Sequence, residues 1–193
     1  MRQYINTLPN AIIIDGLPCV GKTLAVEGLK AKLKTFGCDP IIISCDSRNL
    51  DNGAWESVLE NLEHWLLQSK ENKNTHYIFD GFIASYFSSV VLSGKLNPKH
   101  AIVGALRVND LVNELGALHY ILDAPTHMLR NNYRAAMSRY TEPLWDVMQA
   151  SWSYNLAMFS GSIKRTILSK SDIETFTNEI FDSIYSPRLA KMR

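Results

Sequence analysis

Residues 11–23 read Ala-Ile-Ile-Ile-Asp-Gly-Leu-Pro-Cys-Val-Gly-Lys-Thr, and no other stretch limits the chain's possible folds as strongly. The opening run is short, apolar and β-branched, the pattern of a parallel strand covered on both faces. It passes directly into Gly16-Leu17-Pro18-Cys19-Val20-Gly21-Lys22-Thr23, which satisfies G-x-x-x-x-G-K-[ST] at every fixed position. A turn between strand and helix must aim successive backbone N–H groups at phosphate oxygens, and Gly16 and Gly21 supply the freedom or close approach this needs. Lys22 brings an ammonium to the outer phosphates of ATP. Thr23 offers a hydroxyl to Mg²⁺, and the helix opening there adds its positive end. Cys19 fills a variable position. A redox role near a helix N-terminus is the alternative reading for it.

The rest of the chain alternates short apolar runs with helical patterns. Strands are expected at Ala11–Asp15, Pro40–Ser44, Tyr77–Asp80, Leu118–Leu122 and Lys164–Leu168. Helices are expected at Thr23–Phe36 (ended by Gly37), Ala54–Gln68, Ala84–Leu92, His100–Leu115, Pro125–Arg139, Leu144–Phe159 and Ile173–Ile184. Strands separated by helices imply right-handed crossovers, hence an α/β fold with a five-stranded parallel sheet covered by helices on both faces. The 193 residues fit a single domain, 1–193, without disulfide staples.

Charge narrows the function. Twenty Lys and Arg against nineteen Asp and Glu leave no global basic field for nucleic acid or an anionic membrane, although a local patch stays open. Three scattered cysteines and five histidines without metal spacing argue against a disulfide framework or a zinc site. The apolar stretch ending at Asp15 is too short for a signal core or a bilayer span, so a cytoplasmic protein without membrane attachment is expected. No complete Asn/Thr-Lys-x-Asp motif marks a guanine reader. Ser169-Lys170-Ser171-Asp172 is the nearest approach, which favours ATP over GTP.

Asp80 ends the third strand beside the phosphate loop, where a carboxylate can hold Mg²⁺ through water, order the site, or cap the next helix. Arg130, Arg134 and Arg139 follow the fourth strand, and Arg130 and Arg134 share a helical face. Such a face can close over a triphosphate as a lid near 130–143 and neutralise charge growing in phosphoryl transfer.

With these segments in order, the chain resembles the thymidylate kinase and deoxynucleoside kinase superfamily of P-loop enzymes. The resemblance rests on the phosphate loop, on Asp80-Gly81-Phe82-Ile83-Ala84-Ser85-Tyr86, and on the strand and arginine helix over Leu118–Arg139. Asp80-Gly81-Phe82 is also similar to a segment of adenylate-kinase-like enzymes. The resemblance implies a P-loop NTPase fold, ATP with Mg²⁺, Asp80 near the metal, a lid over Arg130–Arg139 and a homodimer as an open assembly. The family places Arg, or Glu-Arg-Ser, at the end of the third strand, and this chain has Gly81. A lid arginine, Arg134 or Arg139, would then have to face the transferred phosphoryl group.

The acceptor side falls on the loop after the second strand, Cys45-Asp46-Ser47-Arg48. Phosphorylating a hydroxyl needs a base, which Asp46 supplies; phosphorylating a phosphate needs positive charge, which Arg48 supplies. Trp55, Trp65, Tyr86, Phe87 and Tyr133 are candidates to sandwich a base, against the general tendency of aromatics at helical spacing to be core; Arg107 is a candidate for an acceptor phosphate, against a surface role. The expected activity is ATP-dependent phosphorylation of a nucleoside monophosphate or nucleoside. A kinase of nucleotides within DNA and a nucleotide-binding regulator with little transfer activity remain the alternatives.

Overall fold

The structure, a computed structural model, describes residues 10–44, 54–72, 75–83, 98–136, 145–150 and 162–189. Their elements run β1 Ala11–Gly16, α1 Lys22–Thr35, β2 Ile41–Ser44, α2 Ala54–Glu71, β3 Tyr77–Asp80, α3 Pro98–Glu114, β4 Leu118–Asp123, α4 Thr126–Ala136, β5 Ile163–Thr166 and α5 Lys170–Leu189. All five expected strands form, with ends within two residues of the expected ones. The helix expected at Ala84–Leu92 lies outside the described residues, and of Leu144–Phe159 only 145–150 is described, as helix. Among the described residues no helix is long and apolar enough to cross a membrane.

The sheet is parallel throughout, in the order β2-β3-β1-β4-β5. From β1 the chain moves to β2 on one side, then returns through β3, β4 and β5 in the opposite direction. With right-handed crossovers, that reversal puts α1 on one face and α2 and α3 on the other. The packing agrees, since α1 lies against α5 and α2 against α3. The reversal also leaves a crevice beyond the carboxyl ends of β1 and β3, where open α/β sheets bind ligands.

Strand β1 explains the order. Every one of its residues is buried, with β3 on one edge and β4 on the other. A run of three isoleucines suits this position because β-branched chains pack well on a pleated, doubly covered surface. The edge strand β5, Ile-Lys-Arg-Thr, is exposed along its length, as its polar composition allows. Helix α1 buries Ala25, Val26, Leu29 and Leu33 and stops where Gly37 N donates to Lys34 O and Cys38 N to Leu33 O. That pair of bonds closes a helix on a glycine.

On α2, neighbouring leucines separate core from surface, with Leu66 fully buried and Leu67 45% exposed. Leu66→Ala is therefore expected to lower unfolding free energy by about 2–5 kcal/mol. Leu67→Ala should change it by less than about 1 kcal/mol. Urea titration of the two variants checks the assignment, and equal losses would contradict it.

Candidate phosphate and metal site

Gly16 closes β1 and opens the loop under a tight steric constraint. Its φ is 151°, and a Cβ there would meet the Leu122 carbonyl oxygen of β4 at 2.5 Å. Backbone cannot yield as a flexible side chain can, so the position excludes every larger residue. The loop then turns through Cys19 at φ 65° and reaches Gly21, the cap residue of α1, at φ 106°. No acidic side chain of α1 itself stands in its first turn, and the carboxylate at its start is Asp80 of β3. A loop and helix terminus so arranged form a cradle for an anion.

Lys22 curls back over the loop and donates from Nζ to Gly16 O at 2.7 Å and Leu17 O at 2.9 Å. Burial pushes its pKa below the ordinary 10.5, while the charges of Asp15, Asp80 and Cys19 pull the other way. Thr23 Oγ1 donates to Asp80 Oδ2 at 2.8 Å, joining the start of α1 to the end of β3. Asp80 lies in register with Ile14, and the next amide, Gly81 N, donates to Ile14 O at 2.9 Å. Gly81 has φ 82°, a left-handed conformation that favours glycine. A hydroxyl and a carboxylate side by side are hard oxygen donors, and this pair fits Mg²⁺, which takes few protein ligands and keeps several waters.

Helix α4 approaches the loop from β4. Asn132 Nδ2 donates to Cys19 O at 3.3 Å, so the helix that carries Arg130 and Arg134 touches the phosphate loop. Arg130 is half-buried and Arg134 exposed. Asp46, Arg48, Tyr86, Phe87 and Arg139 lie outside the described residues, as does the side chain of Trp55.

Four alternative readings fall away. Tyr133 is a core residue, 7% exposed and packed on Trp145 at 5.8 Å between ring centroids, because it falls on the inward face of α4. Trp65 is half-buried with its ring 6.1 Å from Tyr77, which removes it from the base-sandwich set. Arg107 is held by Glu63 of α2, across the α2–α3 packing, rather than turned to an acceptor. Burial pushes the Cys19 thiol up, with Lys22 opposing only in part, so its surroundings suppress the thiolate that a redox role needs. The near-miss of a guanine-reading motif is a helix cap. Asp172 Oδ2 accepts from Leu168 N at 2.7 Å, and Asp172 N donates to Ser169 Oγ at 3.3 Å.

Asp15 and His119 escaped the sequence reading. Asp15 is fully buried beneath the loop, and its Oδ1 accepts from Gly16 N at 2.8 Å. The available signal was a carboxylate ending an otherwise apolar, doubly covered strand, since such a charge must be offset. The position of His119 beside it needed the β1–β4 register, which no local pattern supplies.

Two stability outcomes follow. Gly16→Ala should cost at least about 2 kcal/mol in urea unfolding, because strain and overpacking act together. For Lys22, the depressed pKa means the unfolded chain binds more protons between that pKa and 10.5, so the residue makes stability rise with pH across that window. Lys22→Met should flatten the rise, and an unchanged pH slope would contradict the burial argument.

No family model matches the chain, and no curated protein matches it. Solved structures do. A shikimate kinase from Acinetobacter baumannii, in complex with shikimate, superposes with a TM-score of 0.52 at 12% identity, over 96% of this chain and 97% of that one. A deoxyadenosine kinase from M. mycoides with bound dCTP gives a TM-score of 0.48 at 14% identity, over 89% of this chain and 99% of that one. At such identities the likeness is one of fold, and the chain has the five-stranded parallel α/β fold of P-loop kinases.

Proposed function

We propose that the protein is an ATP-dependent kinase of a small acceptor, a nucleoside monophosphate or nucleoside. The observation that carries this reading is the 2.8 Å Thr23–Asp80 bond beside the Lys22 loop, at the reversal point of a parallel sheet. A phosphate cradle and a hard-oxygen metal position then share one edge. The fold shared with a shikimate kinase supports transfer to a small molecule.

On this reading the backbone of Gly16-Leu17-Pro18-Cys19-Val20-Gly21 wraps the phosphates, and Lys22 leaves its carbonyl partners to neutralise the outer ones. Thr23 and Asp80 would hold Mg²⁺, which would supply charge neutralisation to the phosphates when bound. Arg130 and Arg134 of α4, with Arg139, form the lid, and Arg134 or Arg139 faces the transferred group in place of the family arginine. The acceptor oxygen bonds to the γ-phosphorus as the bond to the departing ADP oxygen breaks. For a hydroxyl acceptor, Asp46 takes the proton; for a phosphate acceptor, Arg48 pairs with the anion. Trp55 and Tyr86 line the acceptor base.

A second reading, a nucleotide-binding regulator with little transfer activity, draws on Gly81, where a strand-end cation would otherwise stand. The separating experiment follows ADP release from Mg·ATP against nucleosides, nucleoside monophosphates and short DNA. At least one nucleoside or nucleoside monophosphate is expected to stimulate turnover. Lys22→Ala should lower that rate by about 100-fold or more while keeping the fold. Tight ATP binding with no acceptor stimulating release would sink the kinase reading and favour the regulator. Stimulation by DNA alone would move the acceptor to a polynucleotide.

A further inference from the structure

Beneath the phosphate loop, two strands and the residue that leads into a third contribute polar side chains to one line. Ser162 precedes β5, and its Oγ lies 2.8 Å from His119 Nδ1 in β4. The other ring nitrogen, His119 Nε2, is 3.7 Å from Asp15 Oδ2 in β1, a close polar approach longer than a hydrogen bond. Neither side chain reaches solvent to any extent, at 4% exposure for His119 and none for Asp15. The second Asp15 oxygen accepts from Gly16 N, and the Gly16 carbonyl accepts Lys22 Nζ. Phe82 presses on the imidazole at 5.6 Å between centroids, edge to face, which limits how the ring can turn.

The arrangement is costly unless it does something. A carboxylate without solvent contact, at the end of a strand of buried apolar residues, must be compensated by donors and opposite charge. An apolar residue would fill the same place at less cost, as the three isoleucines before it do. What a carboxylate adds is a charge-assisted, directional grip on the first amide of the loop. That amide sets the plane of the Asp15–Gly16 peptide, and the next carbonyls, Gly16 O and Leu17 O, are the two that Lys22 uses. Small errors at this pivot propagate along every later N–H of the cradle.

We infer that Asp15 and His119 are positioning residues for the phosphate loop: His119, steadied by Ser162, aims the Asp15 carboxylate, and Asp15 fixes the Gly16 peptide from which the loop and Lys22 are hung. The inference rests on the reading that the loop binds Mg·ATP, and it adds a support that reaches back to the entrance of β5. His119 acts only through Asp15. Its effect therefore disappears once the carboxylate is neutralised.

Two measurements on the full chain test this. Mg·ATP affinity, read by calorimetry, should weaken about tenfold in Asp15→Asn, which keeps the shape and one acceptor but loses the charge. His119→Phe, which keeps the ring and its contact with Phe82, should weaken affinity in the same direction. The double variant should bind no worse than Asp15→Asn alone, the signature of one shared path. Leu66→Ala serves as a control that loses stability without losing affinity. In parallel, the Gly16 amide proton should resonate downfield in the wild type and move upfield in both Asp15→Asn and His119→Phe. An unmoved Gly16 resonance in His119→Phe, or additive affinity losses in the double variant, would overturn the inference. A wild type that fails to bind Mg·ATP would overturn the proposed function instead, and the amide shifts would still decide the role of the pair.

Discussion

Strand β1 has no free side. β3 and β4 take its two edges, helices take its two faces, and its last residue packs so closely under the Leu122 carbonyl that even one added carbon collides. Because the strand cannot shift along its axis without breaking both ladders, the point where it ends is held from both sides. The phosphate loop begins at that point and inherits its definition. A loop of the same sequence on an edge strand would have only one ladder to hold it, and its amides would share the motion of that edge. The order β2-β3-β1-β4-β5 is thus a device for locating a turn.

Around that turn the charges are arranged to hold one another. Asp15 lies below the loop, Asp80 beside it, and Lys22 folds between them onto main-chain carbonyls. Burial works against the lysine's charge while the two carboxylates sustain it. The cation therefore has a local resting place of modest strength, made of neutral acceptors, and a phosphate offers it a better one. Thr23 similarly spends its hydroxyl on Asp80, which keeps two oxygens poised together. A site held this way is preorganised without being locked.

How much of this was legible before the structure depends on the range of each signal. The β1 run, the loop and the glycine stop after α1 are written in contiguous residues, and the parallel sheet follows from alternation alone. The placing of Asp80 beside Thr23 was inferable because strand ends and loop starts meet in any sheet of this kind. Tyr133, Trp65 and Arg107 were not legible. Whether an aromatic on a helix faces inward, or an arginine meets Glu63, is decided by which neighbouring helix arrives, and spacing within one helix does not say. For Cys19 the filler reading holds and the redox alternative fails, because the packing around the thiol outweighs the pull of a nearby cation on its pKa. Asp15 and His119 illustrate the remaining gap, since two strands distant in the chain must be brought into register before their side chains can be seen to share a face.

Gly81 carries a consequence for how such a protein could change over time. Its backbone turns left-handed immediately after Asp80, and its amide is tied to Ile14 O. A side chain at that position would cost roughly 1–2 kcal/mol in backbone strain before making any contact. Acquiring an arginine there is thus a move against a local gradient, whereas adjusting arginines on α4 is free of that toll. On the proposed reading, selection meets two unequal routes to the same chemistry: the metal-facing carboxylate is inherited with the sheet, and the phosphoryl-facing cation evolves on a separate helix, at its own pace.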